Sequence, residues 1–400
     1  MGRKFEFAIA KNLPMCYYVV NGVAFGQVLQ RMIENRDTNN LKGTDKAMAR
    51  RSLLTGVAYH GNRMPSHARE DIKEIARADM DIVVHMLSHT DWERHKNVMK
   101  DIFAMTEDAG MEVWVDNWGL GGSPGDKSHF LAYHPEAHMI FSDGEMHPSQ
   151  VCLNSPAFRK FIKDWLYTVA EIGGKTIFWD EPYIPEKKIA VGDGTELRHC
   201  CACATCKKLF EERYGRPMPI IPDADVEKFR TDSIVEYFAD VTEYSNSLGQ
   251  KNATCVMLGG QLGISLDNID ALGALPYMQN IGSDPYWYGK MSSDPYKFVY
   301  DSVKKNVGVC QRFEKDHNIW IQTYAVPRGR EEEIIQATEA AYDAGARTIL
   351  AWGFKGSESN DYHAADPERT WNTTVEAMRR IRSMERDKIL AENRKMVGLL

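Results

Sequence analysis

Residues 174–185 read GKTIFWDEPYIP. A Gly173-Gly174 break ends the helical segment before them, and Lys175–Trp179 is a short apolar run. That is the pattern of a buried strand. The run ends in two adjacent carboxylates, Asp180 and Glu181, and Pro182 stops it. Neighbouring strand residues point to opposite faces, so one carboxylate looks into a sheet or barrel and the other lies along its rim. An acidic pair at the C-terminal end of a parallel strand, beside Trp179 and Tyr183, is where an α/β barrel places chemistry. In an isolated loop the same pair would read as a helix cap or a structural ion pair. Its position at a strand end among aromatics favours function.

Working outward, the same rhythm holds from residue 52 onward. The apolar runs are Leu53–Tyr59, Asp81–Leu87, Glu112–Trp118, Lys175–Trp179, Ala253–Gly259, Asn280–Tyr286, Trp320–Ala325 and Thr348–Gly353. Helical stretches are expected at His67–Ala78, Trp92–Ala109, Ala157–Ile172, Val226–Leu248, Leu266–Leu275, Tyr296–Lys315, Glu331–Ala344 and Thr370–Glu385. In the third of these, Phe158, Ile162, Trp165, Leu166 and Val169 recur at helical spacing and define one buried face. Glycines close several helices just before the next strand, at 110, 173, 174 and 345. Eight strand–helix units match an α/β fold of the (β/α)8 TIM-barrel type. A doubly wound sheet would need a Gly-rich phosphate-binding first turn, which is missing. The expected organisation is an N-terminal extension, residues 1–50, packed on a barrel of residues 51–400. The barrel carries a Cys-rich insertion at 186–222.

Composition narrows the class. The chain has 400 residues, 43% hydrophobic and 26% charged, with net charge −7. No Lys/Arg block stands out, which argues against nucleic acid as a partner. No apolar run is long enough for a membrane span or a secretory h-region, so a cytoplasmic protein is expected. Eight cysteines, four of them between 200 and 206, do not resemble a secreted disulfide framework.

The strand ends carry the functional expectation. They offer His60; His89; Asp116 and Trp118; Trp179, Asp180 and Glu181; Asp284, Tyr286 and Trp287; Gln322 and Tyr324; and Trp352. Sugars present hydroxyls at their edges and C–H groups on their faces. A pocket for them needs polar side chains for the edges and rings for the faces, and this set supplies both. The expected partner is therefore a small saccharide or glycoside; homo-oligomerisation is allowed by the sequence.

Within the insertion, Cys201-x-Cys203-x-x-Cys206 has spacing suited to one tetrahedral Zn²⁺. The fourth ligand could be Cys200 or His199, but adjacent residues chelate one ion awkwardly. Cys152, in the loop after the third strand, is the more natural choice. Four thiolates leave no open position, so the zinc would be structural.

Here the chain resembles a known family. Tyr133-His134-Pro135-Glu136, then Cys152-Leu153-Asn154-Ser155-Pro156-Ala157-Phe158-Arg159, the carboxylate closing the fourth strand, the Cys-x-Cys-x-x-Cys motif and Phe210…Tyr214-Gly215 are similar in order and spacing to glycoside hydrolase family 42 β-galactosidases. The likeness covers roughly residues 110–220. It implies a clan A barrel, a zinc on Cys152, Cys201, Cys203 and Cys206, and a general acid/base at Glu181. The clan pattern has Asn-Glu where this chain has Asp180-Glu181, and a nucleophilic Glu at the seventh strand where this chain has Gln322. A neutral amide cannot form the glycosyl ester. Asp284 is the expected substitute, followed by Asp116 and Asp180. The alternatives are a barrel that binds carbohydrate without turnover and a barrel enzyme with a working zinc.

Overall fold

The computed structural model describes residues 53–122, 125, 127–181, 183–259, 263–288 and 293–396. The expected extension at 1–50 lies outside the described residues.

Eight parallel strands close into a barrel in sequence order. They are β1 Leu54–Tyr59, β2 Ile82–Met86, β3 Glu112–Asp116, β4 Thr176–Trp179, β5 Lys251–Val256, β6 Asn280–Ser283, β7 Ile319–Gln322 and β8 Thr348–Trp352. The fold is the expected (β/α)8 barrel. Each strand is buried on both faces, and the two faces belong to different cores. Leu54, Ala58, Ile82, Val84, Met86, Trp114, Phe178, Ala253, Cys255, Trp320 and Leu350 pack together inside the barrel. Val57, Tyr59, Val83, Val113, Ile177, Trp179, Ile281, Ile321 and Ile349 pack outward against the helices. The inward residues carry even numbers on every strand but β5, where Ala253 and Cys255 are the inward ones and Val256 packs outward.

The principal helices are α1 Pro65–Arg77, α2 His89–Asp108, α3 Pro156–Glu171, α4 Ala204–Tyr214, α5 Ala224–Ser247, α6 Pro295–Arg312, α7 Glu332–Asp343 and α8 Pro367–Met396. Their starts follow from local chemistry. Ser88 and Asp91 form a reciprocal capping box at α2. Ser155 caps α3, with Pro156 at its first turn. Asp223 and Asp294 cap α5 and α6. The face of α3 foreseen from spacing is the buried one. Burying each such large apolar side chain is worth about 1.5–3 kcal/mol.

Two regions depart from the sequence reading. The helix expected at Leu266–Leu275 shrinks to one turn, Asp270–Gly273. Asn268 Oδ1 accepts from the Ser265 amide at 2.7 Å and turns the chain early, and Gly273 and Pro276 discourage extension. The insertion after β4 is also more ordered than a loop. It forms a hairpin, Glu186–Val191 with Gly194–His199, followed by α4. A second hairpin, His138–Ile140 with Met146–Val151, follows β3.

One joint of the barrel is thin. Within their named spans β6 and β7 pair only at Ser283 and Ile319, and a bridge between Asn280 and Asp316, just ahead of β7, extends the contact. The gap is filled by Asn318, whose Nδ2 donates to Asn280 Oδ1 at 2.6 Å and to the Thr254 carbonyl at 3.3 Å. Gly282 leaves room for it, since a Cβ there would lie 2.1 Å from Asn318 Oδ1.

Candidate active site

Following the inward register past the strand ends brings Asp116, Asp180 and Asp284 to the mouth of the barrel. Asp116 is wholly buried, and neither of its carboxylate oxygens has a hydrogen-bond partner among the described residues. Burial pushes its pKa well above the usual carboxylate range. Asp180 keeps some contact with solvent. Its pKa is also pushed well up, first by desolvation and then by the negative charges of Asp116, Glu181 and Asp284. Four carboxyl groups from three strand ends therefore feel one another. Such a group cannot ionise fully, so it retains protons at neutral pH.

Glu181 follows immediately. Its φ of +36° lies in the left-handed region, which costs a non-glycine residue roughly 1–2 kcal/mol. This is also an awkward conformation before Pro182. The strand alternation thus ends at Asp180, and Glu181 takes a separately determined position at the rim. Strain of this kind persists where surrounding structure over-determines it, often at functional sites.

Aromatic rings wall the mouth. His60 lies 5.1 Å from both Trp118 and Trp352, and the two indoles are 5.7 Å apart. Burial, helped by Arg63, lowers the His60 pKa to about 4, so the ring is neutral. Tyr286 and Tyr324 meet edge to face at 5.3 Å. Their pKa values are raised by burial and then by Asp284, which keeps both hydroxyls protonated and able to donate. A cavity of about 580 Å³, counted to its open edge, adjoins Asp180 and Glu181. Asn117, residues 119–122, Gln150 and Tyr183 line its other side.

Four expected site residues are not brought into the mouth. Trp179 faces outward, 1% exposed, donating from Nε1 to Asn252 Oδ1 at 3.0 Å and packing on Tyr237 and Phe238. Trp287 is 2% exposed, and its Nε1 donates to Glu333 Oε2 at 2.9 Å. Both belong to the layer between barrel and helices. His89 opens α2 and packs against Trp92, His129 and Phe161. Gln322 points inward, yet both ends of its amide are engaged by backbone. Oε1 accepts from the Tyr288 amide at 2.9 Å, and Nε2 donates to the Tyr324 carbonyl at 3.3 Å. It ties two loops together.

The sequence reading passed over Cys255. It lies on the inward register of β5, its thiol pKa pushed well up by burial and then by Asp284. Its alternation with Val256 in the fifth apolar run was the available signal. The hairpin that brings Gln150 against Tyr183 (Nε2 to Oη, 2.8 Å) gave no such signal.

Among the described residues, two groups have geometry suited to a metal ion. One is Cys152, Cys201, Cys203 and Cys206, all buried, with ligand atoms within 4.8 Å of one another. Cys152 Sγ lies 3.4 Å from Cys206 Sγ and 3.6 Å from Cys203 Sγ. A tetrahedron with Zn–S bonds of about 2.3 Å has edges of about 3.8 Å, so the sulfurs fit that ion. Hydrogen bonds from Cys152, Cys201 and Cys206 favour Cys203 as a thiolate and push its pKa far down. Asn154 Nδ2 donates to Cys206 Sγ at 3.4 Å and to Ser233 Oγ at 2.9 Å, an outer support typical of metal sites. His199 is turned away, its Nε2 against the Pro219 carbonyl at 3.0 Å. Cys200 is outside the group.

No protein-family model matches the chain, and no curated protein matches it in sequence. Solved structures do share its fold. The catalytic domain of the beta-amylase from Paenibacillus polymyxa matches with TM-score 0.57 and 9% identity, over 81% of this chain and 98% of that one. The endo-beta-1,4-mannanase of Thermotoga petrophila gives 0.52 and 10%, over 82% and 77%. The endo-1,4-beta-mannanase of Rhizomucor miehei gives 0.51 and 12%, over 85% and 97%. At these identities the likeness is one of fold. Among the described residues, no helix is long and apolar enough to cross a membrane.

Proposed function

We propose that this barrel is a glycoside hydrolase acting on a small saccharide or glycoside. The carrying observation is the gathering of Asp116, Asp180, Glu181 and Asp284 at one aromatic-walled mouth. Glycoside hydrolysis needs one carboxyl that holds a proton and one that does not. Crowded carboxyls at mixed burial supply that division. Glu181, at the rim, delivers a proton to the glycosidic oxygen as the bond to the anomeric carbon breaks. Asp180 stays protonated behind it and limits the negative charge of the group. Asp284 meets the anomeric carbon from across the mouth, either through a water whose proton it accepts or directly, forming a glycosyl ester that water then cleaves as the ionised Glu181 takes the water's proton. In both routes the water's hydroxyl ends on the sugar. His60, Trp118 and Trp352 stack on the sugar, and Tyr286 and Tyr324 donate to its oxygens. The named activities of the neighbours in fold, beta-amylase and mannanase, accord with this reading. So does the family 42 likeness, with its departure at Gln322. The thiol group would hold a structural Zn²⁺ on Cys152, Cys201, Cys203 and Cys206, away from the reaction.

A panel of aryl glycosides and small oligosaccharides tests the proposal. Glu181→Gln should lose on the order of 10²–10⁴ in kcat on poor leaving groups, and much less on activated phenols. Asp284→Asn should fail on both. Full activity in Asp284→Asn would remove it from the mechanism. One observation favours a second reading, binding without turnover: the only polar inward group ending β7 is an amide already engaged by backbone. Saturable sugar binding with no hydrolysis across the panel would establish that reading instead.

A further inference from the structure

The second candidate metal group lies outside the barrel mouth and is independent of the proposed activity. His89 and Glu93 are one turn apart on α2, and His129 comes from the stretch that follows β3. The two imidazoles stack at 3.9 Å with an interplanar angle of 10°. Both Nε2 atoms face one carboxylate oxygen. Glu93 Oε1 lies 3.1 Å from His129 Nε2 and 3.5 Å from His89 Nε2. The ligand atoms of the three residues are all within 4.8 Å of one another. Two stacked imidazoles and one carboxylate thus converge on one point.

We infer that His89, Glu93 and His129 form a site for a divalent transition-metal ion of the Zn²⁺, Ni²⁺ or Co²⁺ class. Two imidazoles and one carboxylate are a ligand set those ions accept, with remaining positions for water. The surroundings support it. His89 Nδ1 is held by Ser128 Oγ at 2.8 Å, which fixes the ring and leaves Nε2 toward the site. Phe161 packs edge-on against the His89 ring at 4.8 Å and limits its rotation. His89 is nearly buried, while Glu93 and His129 reach solvent, so an ion can enter without unfolding. The ion would join α2 to the segment after β3, whose Asn117 and residues 119–122 line the cavity beside Asp180 and Glu181. It would act as a clamp on one wall of the mouth.

The test uses the full chain, treated with a mild chelator and titrated with Ni²⁺ by calorimetry. The expected result is one saturable site, lost in His129→Ala and in Glu93→Gln. Both residues are solvent-reaching, so both variants should fold. Cys203→Ser should retain the site, which separates it from the thiol cluster. Ser128→Ala should weaken binding by about tenfold, the lower end for removing a ligand's outer support. Co²⁺ bound there should show no thiolate charge-transfer band. Absence of a saturable site in the wild type, or unchanged affinity in His129→Ala, would overturn the proposal.

Discussion

The barrel mouth and the thiol cluster each gather four ionisable groups that repel one another when charged, yet they are built to opposite ends. The carboxyls come from three separate strands and stand around open space. The thiols come from the end of the second hairpin and from the turn and first residues of α4, and close on one another, sulfur to sulfur. Asp116 has no hydrogen-bond partner among the described residues, whereas Cys206 has a supporting amide from Asn154. A divalent ion can relieve the crowding of thiols. The crowding of carboxyls is expressed as retained protons. Unrelieved repulsion is useful where protons must move, and relieved repulsion where a loop must be fixed.

The contrast can be broken at several points. The largest effect is expected at the thiols. Cys203→Ser should take zinc from about one per chain to near none and lower the thermal midpoint with it. Full metal occupancy in that variant would refute the ligand assignment. Next come the indoles. Trp287→Ala should cost about 3–5 kcal/mol of stability with little change in KM, while Trp352→Ala should raise KM with a smaller loss of stability. The reverse pattern in urea unfolding and kinetics would exchange their roles.

Gln322→Glu is smaller again. The acid can still accept from Tyr288 but cannot donate to the Tyr324 carbonyl, so a loss of about 1–3 kcal/mol is expected, with no gain in turnover. A gain in hydrolysis would show a mouth that has merely lost its nucleophile. The smallest effect concerns pH. Asp116 and Asp180 hold protons in the fold that the unfolded chain has released. Their raised pKa values make stability greatest below the ordinary carboxylate range and lower as pH rises through the folded values. Asp116→Asn should flatten that decline by up to about 1.4 kcal/mol per pH unit. An unchanged slope in unfolding across pH 5–9 would mean that Asp116 ionises freely.

The barrel was legible because its signal is local and repeated. Several apolar runs are bounded by glycine or proline, and the long helices show their own buried faces. Asp116, Asp180 and Asp284 were legible for the same reason, since they terminate those runs. Trp179 and Trp287 were misplaced because an indole at a strand end looks the same in either core. Their odd register settles the matter once the inward face is known. Gln322 drew attention by type, but its partners are backbone groups from two distant loops, which no local pattern announces. The pairing of His89 and Glu93 with His129 likewise depends on how the segment after β3 returns to α2.

The thin joint between β6 and β7 has a mechanical consequence. A closed ring of staves yields first where fewest pegs cross, and here a short ladder is supplemented by one asparagine side chain. Amides along that joint, Ser283 among them, should trade hydrogen for deuterium sooner than those of β2 and β3, whose ladder runs unbroken from Ile82 to Met86. Asp284 and Gln322 sit on the two lips of the same joint. Any breathing of the ring therefore moves a candidate reacting carboxylate against its neighbouring wall.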